Sequence, residues 1–464
     1  MSRPITRRTF LRYSSLAAAA AAAYPLISTA QDAARKLNVA FVGVGGRGWG
    51  DLEDTVNAGC NVVALCDVDA NHLANAAKAH PKAKTYADYR KMLEEQKDIE
   101  AVVVATPDHH HFPASMMAIK LGKHVYCEKP LTHSVWEARQ IAQAAKQAGV
   151  ATQMGTQAHA SEAIRLLVEW IQAGAIGAVK EVHIWTDRAA NNWWPQGVDR
   201  PEGQDPVPAN LDWDLWIGPA PVRPYKSKWT DGPFKGRDIY HPFVWRGWWD
   251  FGTCALGDIG CHALDWAWWS LNLTAPTSVE AVSSEIKKES GPLWSNVAYQ
   301  FPANGARPAL KLFWYDGRCK TTPKDSRQWK EMAMLHELAQ LGDRELPENG
   351  QLYVGDKGMI LSTGAESGPR LTPESRMKDF KRPDKTLPRN PLGHHGEWLA
   401  ACKGGQPAGS NFAYAGPLAE AVLLGNVALR FGKKIEWDSV NLKAANAPEA
   451  DALIRTPYRK GWEV

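Results

Sequence analysis

Cysteine is scarce in this sequence: seven residues in 464, Cys60, Cys66, Cys127, Cys254, Cys261, Cys319 and Cys402, with no CxxC pair among them. An odd number at irregular spacing argues against a disulfide framework and against a structural zinc site. Charge of one sign is lacking too. The formal net charge is +4, and Arg3, Arg7, Arg8 and Arg12 supply all of it, because residues 1–30 contain no acid; without them 50 basic residues face 50 acidic ones. A chain so balanced has no electrostatic basis for binding nucleic acid. The apolar run from Leu16 to Ile27 is too short to cross a bilayer, so no membrane span is expected in the mature chain. No internal repeat or low-complexity segment follows residue 30.

What is present is an ordinary globular composition, 44% hydrophobic and 22% charged, in a chain too long for one core, so two domains are expected. Tryptophan is abundant: 21 residues, many of them between Trp185 and Trp269. They read either as a large aromatic core or as rings that stack on the apolar face of a sugar. The N-terminus reads as an address. Arg7-Arg8 with Phe10-Leu11, the Ala-rich run and Ser28-Thr29-Ala30 have the layout of a twin-arginine signal peptide over residues 1–30. Export by that route carries folded proteins to the periplasm or beyond, which accounts for free thiols in an exported chain.

Residues 36–157 read as a Rossmann domain. A strand at Leu37–Val42 runs into Gly43-Val44-Gly45-Gly46-Arg47-Gly48, and a helix follows from about Trp49 to Ala58. Gly43 permits the tight turn, Gly45 lets the backbone approach a pyrophosphate, and Gly48 lets the helix pack on the strand. A second strand, Asn61–Cys66, ends at Asp67, placed to accept from ribose hydroxyls and to repel a 2′-phosphate. NAD(H) is therefore expected over NADP(H). A strand at Ala101–Ala105 leads to Thr106-Pro107-Asp108-His109-His110-His111, read as a loop before a helix from about Pro113 to Leu121. A short strand then ends at Glu128-Lys129-Pro130. The three histidines are not expected to hold a metal, since adjacent side chains in a loop diverge.

The segments GVGGRG, ATPDHHH, GKHVYCEKPL and GDIGCHALD resemble the Gfo/Idh/MocA family, the glucose–fructose oxidoreductase and inositol dehydrogenase group. The resemblance implies that Thr106, Pro107, Asp108 and His111 lie beside the cofactor, with Glu128 an acid on the cofactor side. Lys129 would reach the reacting hydroxyl or carbonyl, where a cation stabilises developing negative charge. Gly46, Arg47 and Gln157 complete the expected cofactor contacts. Asp258 and His262, four apart and so on one helix face, match the family's catalytic Asp-x-x-x-His pair. His262 would be the general base, with an ordinary histidine pKa near ~6.5, and Asp265 is spaced to support it. The resemblance also implies an open-faced sheet used for oligomer contacts, hence a homodimer or homotetramer.

Residues 158–464 read as an α+β domain with a mainly antiparallel sheet: a helix at Ser161–Ala173, then strands at Val179–Asp187, Ser278–Ile286, Trp294–Gln300, Ala309–Tyr315 and Gly350–Val354. Helices are expected at His394–Cys402 and Pro417–Phe431. The aromatic stretch from Asn191 to Trp249 reads as a wall of the substrate cleft, with Trp193, Trp194, Trp245 and Arg246 as candidate substrate contacts. The expected activity is NAD(H)-dependent oxidation of a sugar, glycoside or polyol, with the cofactor retained and recycled. Three alternatives remain open: redox-neutral cleavage by oxidation, elimination and reduction; a non-catalytic sugar- or cofactor-binding protein; and a hydrolase using paired carboxylates.

Overall fold

The computed structural model describes residues 35–188, 193–317, 326–364 and 367–464. The segment expected to be an export signal, Cys319 and the Asn191-Asn192 pair lie outside them. The first sheet is parallel, with strands in the order β3-β2-β1-β4-β5-β6: β1 (Leu37–Val42), β2 (Cys60–Cys66), β3 (Lys84–Tyr86), β4 (Ala101–Val104), β5 (His124–Cys127) and β6 (Thr152–Met154). The order reverses between β1 and β4, so the carboxyl ends of these two strands open a crevice. β1 and β4 are almost wholly buried apolar runs, as a parallel sheet covered on both faces requires.

The second sheet has nine strands in the order β13-β12-β11-β7-β10-β9-β8-β14-β15. They are β7 (Val179–Thr186), β8 (Ser278–Ser283), β9 (Ser295–Phe301), β10 (Leu310–Asp316), β11 (Gly350–Gly355), β12 (Gly358–Ser362), β13 (Pro369–Thr372), β14 (Ile435–Asp438) and β15 (Lys443–Ala444). β7 and β10 pair in parallel; the remaining pairings are antiparallel. Alternation along the strands separates two faces. Val182, Ile184, Tyr299, Leu312 and Trp314 join the main core with the helices Cys254–Ser270 and Phe412–Phe431. Trp185, Tyr315 and Leu352 face the other way, against Met332 and Leu335 of the helix Arg327–Leu338. The face expected to be open is thus partly roofed.

The main core runs without a break from the first sheet into the second domain. The far face of the first sheet is closed by Trp398, Leu399 and Cys402 of the helix Gly393–Cys402, which lies more than two hundred residues further along the chain. The long apolar helix Phe412–Phe431 is mostly buried. Most of the described tryptophans are buried.

Two helices begin earlier than their sequences indicate. Pro113 and Pro417, each read as a start, stand six residues into Asp108–Lys120 and Phe412–Phe431. Asn411 caps the second, accepting from Ala413 N–H. The first has no side-chain cap, and the histidines of its first turn anchor it to other segments. His109 bonds the carbonyls of Trp216 and Phe251, His110 that of Trp216, and His111 those of Thr106 and Pro130. The histidine run is therefore a buried staple on a helix and not a loop.

Candidate functional site

A cleft of about 540 Å³ runs along the crevice between the two domains. At one end the β1 turn brings backbone to the surface. Gly46, the residue before the helix Arg47–Asn57, has φ +54°, and a Cβ there would meet nothing. The helix has no side-chain cap, and apart from Gly48 N–H, which bonds the Gly45 carbonyl at 3.0 Å, its first-turn N–H groups have no side-chain acceptor among the described residues and are open to an anion. Gly48 does not line the cleft; a Cβ on it would stand 2.0 Å from the Gly43 carbonyl oxygen, which is the close packing its glycine permits. Asp67 stands at the end of β2. Its carboxylate accepts from Val44 N–H and Asp69 N–H, both at 2.9 Å. Burial, opposed by these two bonds, raises its pKa.

Thr106, Pro107, Asp108 and His111 lie midway along the cleft. The Thr106 hydroxyl is buried and has no hydrogen-bond partner among the described residues. Asp108 accepts from the Thr253 hydroxyl at 2.6 Å, and burial raises its pKa. Both ring nitrogens of His111 face carbonyl oxygens, at 2.6 and 2.8 Å, a pattern that only the protonated ring satisfies as a double donor. Glu128 accepts from Gln157 at 2.7 Å and from Arg47 at 3.3 Å. Burial and the neighbouring Asp51 push its pKa up to about 7 against Lys129 and Arg47.

At the far end the Lys129 ammonium donates to the carboxylate and the carbonyl of Asp258, each at 2.7 Å. Arg246 donates to the same carboxylate oxygen at 3.1 Å. Burial opposes the charge on Asp258, but Lys129, Arg246 and then Arg188 outweigh it and hold this carboxyl well below the usual range. His262 lines the cleft one helical turn beyond Asp258. Its pKa is not the ordinary value expected: burial and the Lys129 charge push it down to about 3, with Asp258 acting against them. The imidazole is neutral at physiological pH, with a lone pair available.

The cleft thus gathers Gly43, Gly45, Gly46, Arg47, Asp67, Thr106, Pro107, Asp108, His111, Glu128, Lys129, Gln157, Asp258 and His262, together with Trp245 and Arg246. Besides Gly48, three residues are placed otherwise. Trp194 is buried with its indole N–H on Gln196, away from the cleft. Trp193 is exposed and stacks on Arg188, which lines the cleft. Asp265 turns from His262 to His159 and Tyr414. Sequence reasoning missed His72 and His241 near Asp67, Arg188 beside Asp258, and Trp462 from the C-terminal tail. None belongs to a motif; tertiary folding alone brings them in. Asp69, His72 and His241 have ligand-type atoms within 4.8 Å of one another, but a 2.9 Å bond between His241 and Asp69 already accounts for much of that cluster.

The profile of an oxidoreductase family with an NAD-binding Rossmann fold matches residues 37–156, and the profile of that family's C-terminal alpha/beta domain matches residues 161–311. Inositol 2-dehydrogenase of Salmonella typhimurium is 29% identical over 151 residues, which is 32% of this chain and 45% of that protein. Levoglucosan dehydrogenase of Pseudarthrobacter phenanthrenivorans is 30% identical over 25% of this chain and 29% of its own. A glycosyl hydrolase family 109 protein of Stenotrophomonas maltophilia is 38% identical over 26% of this chain and 29% of its own. The chain spans less than half the length of these curated relatives. Among solved structures, the WlbA dehydrogenase from Bordetella pertussis in complex with NADH and UDP-GlcNAcA shares the fold over 87% of this chain and 99% of its own, with a TM-score of 0.58 at 16% identity. Levoglucosan dehydrogenase in complex with NADH and levoglucosan does so with a TM-score of 0.53 at 18% identity, over 87% of this chain and 99% of its own. With its parallel NAD-binding-type sheet, its large mixed sheet and two family profiles that together cover more than half its length, the chain belongs to the Gfo/Idh/MocA oxidoreductase family.

Proposed function

We propose that the protein is an exported NAD(H)-dependent oxidoreductase that acts on a CH–OH group of a sugar, glycoside or polyol. The observation that carries this reading is the arrangement of one cleft: a glycine turn and Asp67 at one end, the Lys129–Asp258 pair and neutral His262 at the other. The residues fit a dinucleotide. An uncapped helix start suits a pyrophosphate, the unpartnered Thr106 hydroxyl is available to it, and the Asp67 carboxylate suits a ribose diol. The same carboxylate disfavours a 2′-phosphate, so NAD(H) is preferred to NADP(H).

A bound nicotinamide supplies the hydride acceptor and donor. The chain supplies position and proton handling. Two of the three Lys129 ammonium hydrogens are held by Asp258, which leaves one for the substrate oxygen, where it stabilises negative charge. A ring nitrogen of His262 accepts the hydroxyl proton, and Asp258 offsets the resulting imidazolium.

A strap from the second domain supports the reading that the cofactor is retained. Asn210 accepts from Ala70 N–H through its carbonyl at 2.7 Å and donates to Asp69 through its amide at 2.8 Å, while His241 bonds Asp69 at 2.9 Å. The strap residues Leu215, Trp216, His241 and Pro242 line the Asp67 side of the cleft, and Trp462 adds to that wall against Tyr89 and His110. An exported enzyme gains from such a wall, since it has no cytosolic pool from which to refill. Homo-oligomer formation through the unroofed part of the nine-stranded sheet completes this reading.

A second reading, redox-neutral glycoside cleavage, is favoured by the similarity to glycosyl hydrolase family 109 proteins. In it the same residues serve oxidation, elimination and re-reduction. The test uses substrates deuterated at single ring carbons. Deuterium stays on the bound nicotinamide after a single oxidation in the first reading; in the second it is on the nicotinamide only until re-reduction returns it to the sugar, and an aglycone is released. Turnover in which deuterium reaches the nicotinamide neither during nor after the reaction would overturn both.

A further inference from the structure

Lys129, Arg188 and Arg246 line the substrate end of the cleft, with Asp258 bonded to Lys129 and Arg246 and the carboxyls of Asp108 and Glu128 nearby. Of the three cations, Arg188 alone has no carboxylate bonded to it among the described residues. Lys129 and Arg246 both use the same Asp258 oxygen. The Arg188 guanidinium makes no side-chain hydrogen bond or ion pair among the described residues, although Asp187 and Asp258 are close enough to favour its charge. Its close partner among the described residues is the Trp193 ring, 3.5 Å from the guanidinium carbon. Partial burial lowers its pKa, a cost to the cation that an anion in the cleft would offset. Arg246 is held in the same manner, 4.2 Å from both the Phe243 and Trp245 rings, with one Nη bound to the Phe243 carbonyl.

Two guanidinium groups, fixed in plane by aromatic stacking and with donors unused, form a site for a planar oxyanion. We propose that the substrate is an acidic sugar, one whose carboxylate is gripped by Arg188 and Arg246 while a ring hydroxyl meets Lys129 and His262. The inference rests on the oxidoreductase reading of this cleft and narrows its substrate class. Arg188 is then a specificity-determining residue, set apart from the proton chemistry by its place at the wall of the cleft. The adjacent Trp193 ring orients the guanidinium.

Binding and turnover separate the two levels of the argument. Calorimetric titration of the NAD-loaded protein with methyl glucuronide, methyl glucoside, glucose 6-sulfate and glucose 6-phosphate reads the charge preference without chemistry. The glucuronide is expected to bind at least ~10-fold tighter than the glucoside, the scale of a charge-assisted hydrogen-bonded pair. In Arg188→Gln that ratio is expected to collapse towards one, and in Arg188→Lys to be partly restored; the lysine variant guards against a loss that reflects only misfolding. Equal affinity for glucuronide and glucoside, no binding of any acidic sugar, or an unchanged ratio in Arg188→Gln would overturn the proposal. Tighter binding of sulfate or phosphate esters than of the glucuronide would overturn the carboxylate assignment. Failure of hydride transfer alongside selective glucuronide binding would count against the oxidoreductase reading and leave the charge assignment standing.

Discussion

At the residue scale the site is made by environment as much as by residue type. Asp258 is held ionised by three cations, while His262, one turn away, is held neutral by burial and by two of those cations, Lys129 and Arg188. The proposed roles, His262 as base and Asp258 as its counter-charge, follow from that divergence. His262→Ala is expected to lower kcat by roughly 10²–10⁴-fold, the usual contribution of a positioned base. Lys129→Met is expected to act on kcat by about 10²-fold or more through loss of charge stabilisation. Steady-state kinetics checks both, and a rise in KM with kcat unchanged would contradict the assignment. Gly48 illustrates a different constraint. Its Cβ would collide with the Gly43 carbonyl, so Gly48→Ala is expected to lower the melting temperature by several degrees even with nucleotide absent. The glycines, Asp67, Lys129, Asp258 and His262 were legible because each sits in a motif whose spacing has a mechanical reason. Arg188 and His72 were not, because a single arginine or histidine in a loop carries no local signal.

At the scale of elements, position in the sheet explains what was readable. β1, β4 and β7 to β11 were visible as apolar or alternating runs bounded by turns. β12 to β15 are short, and pairing with strands already in the sheet defines them more than propensity does. Pro113 and Pro417 misled in the same way: a proline marks a helix start only within the first turn, and these helices begin earlier because a cap or a set of buried histidines secures them. The strap and tail had no readable role, since their hydrogen bonds are to a domain encoded far upstream. Trp462 tests that role. In Trp462→Ala the ring contacts with Tyr89, His110 and Arg90 are lost, and NADH dissociation followed by stopped-flow fluorescence is expected to quicken by about tenfold. An unchanged rate would remove the tail from the account of retention.

At the scale of the whole molecule, six of the described cysteines are buried and unpaired, and no disulfide joins them. The chain is stabilised by a core shared between its two sheets, together with a set of buried neutral histidines. His110 and His133 are pushed down to about 4, His262 and His394 to about 3, in each case chiefly by burial. A base whose folded pKa is depressed resists protonation in the native state but not in the unfolded chain. Stability from these groups is therefore complete above the unfolded value near ~6.5 and is lost as pH falls towards 4 and 3. Glu128 and Asp316, raised to about 7 and about 6 chiefly by burial, work in the opposite sense: the native state holds their protons while the unfolded chain releases them. Near pH 5 these four histidines outnumber those two acids, so this set takes up protons on unfolding. Denaturant titrations between pH 7 and pH 5 are expected to show stability falling with pH; a flat or rising profile would contradict the protonation states assigned to the buried histidines.

The central claim is that this fold carries a retained nicotinamide dinucleotide as its working part, and the most direct measurement is the nucleotide content of the protein purified without added cofactor. Denaturation, followed by chromatography and mass spectrometry of the supernatant, is predicted to release NAD⁺ or NADH in near-equimolar amount, with NADP(H) a minor fraction. A protein that releases no dinucleotide and binds none when it is supplied would contradict the account.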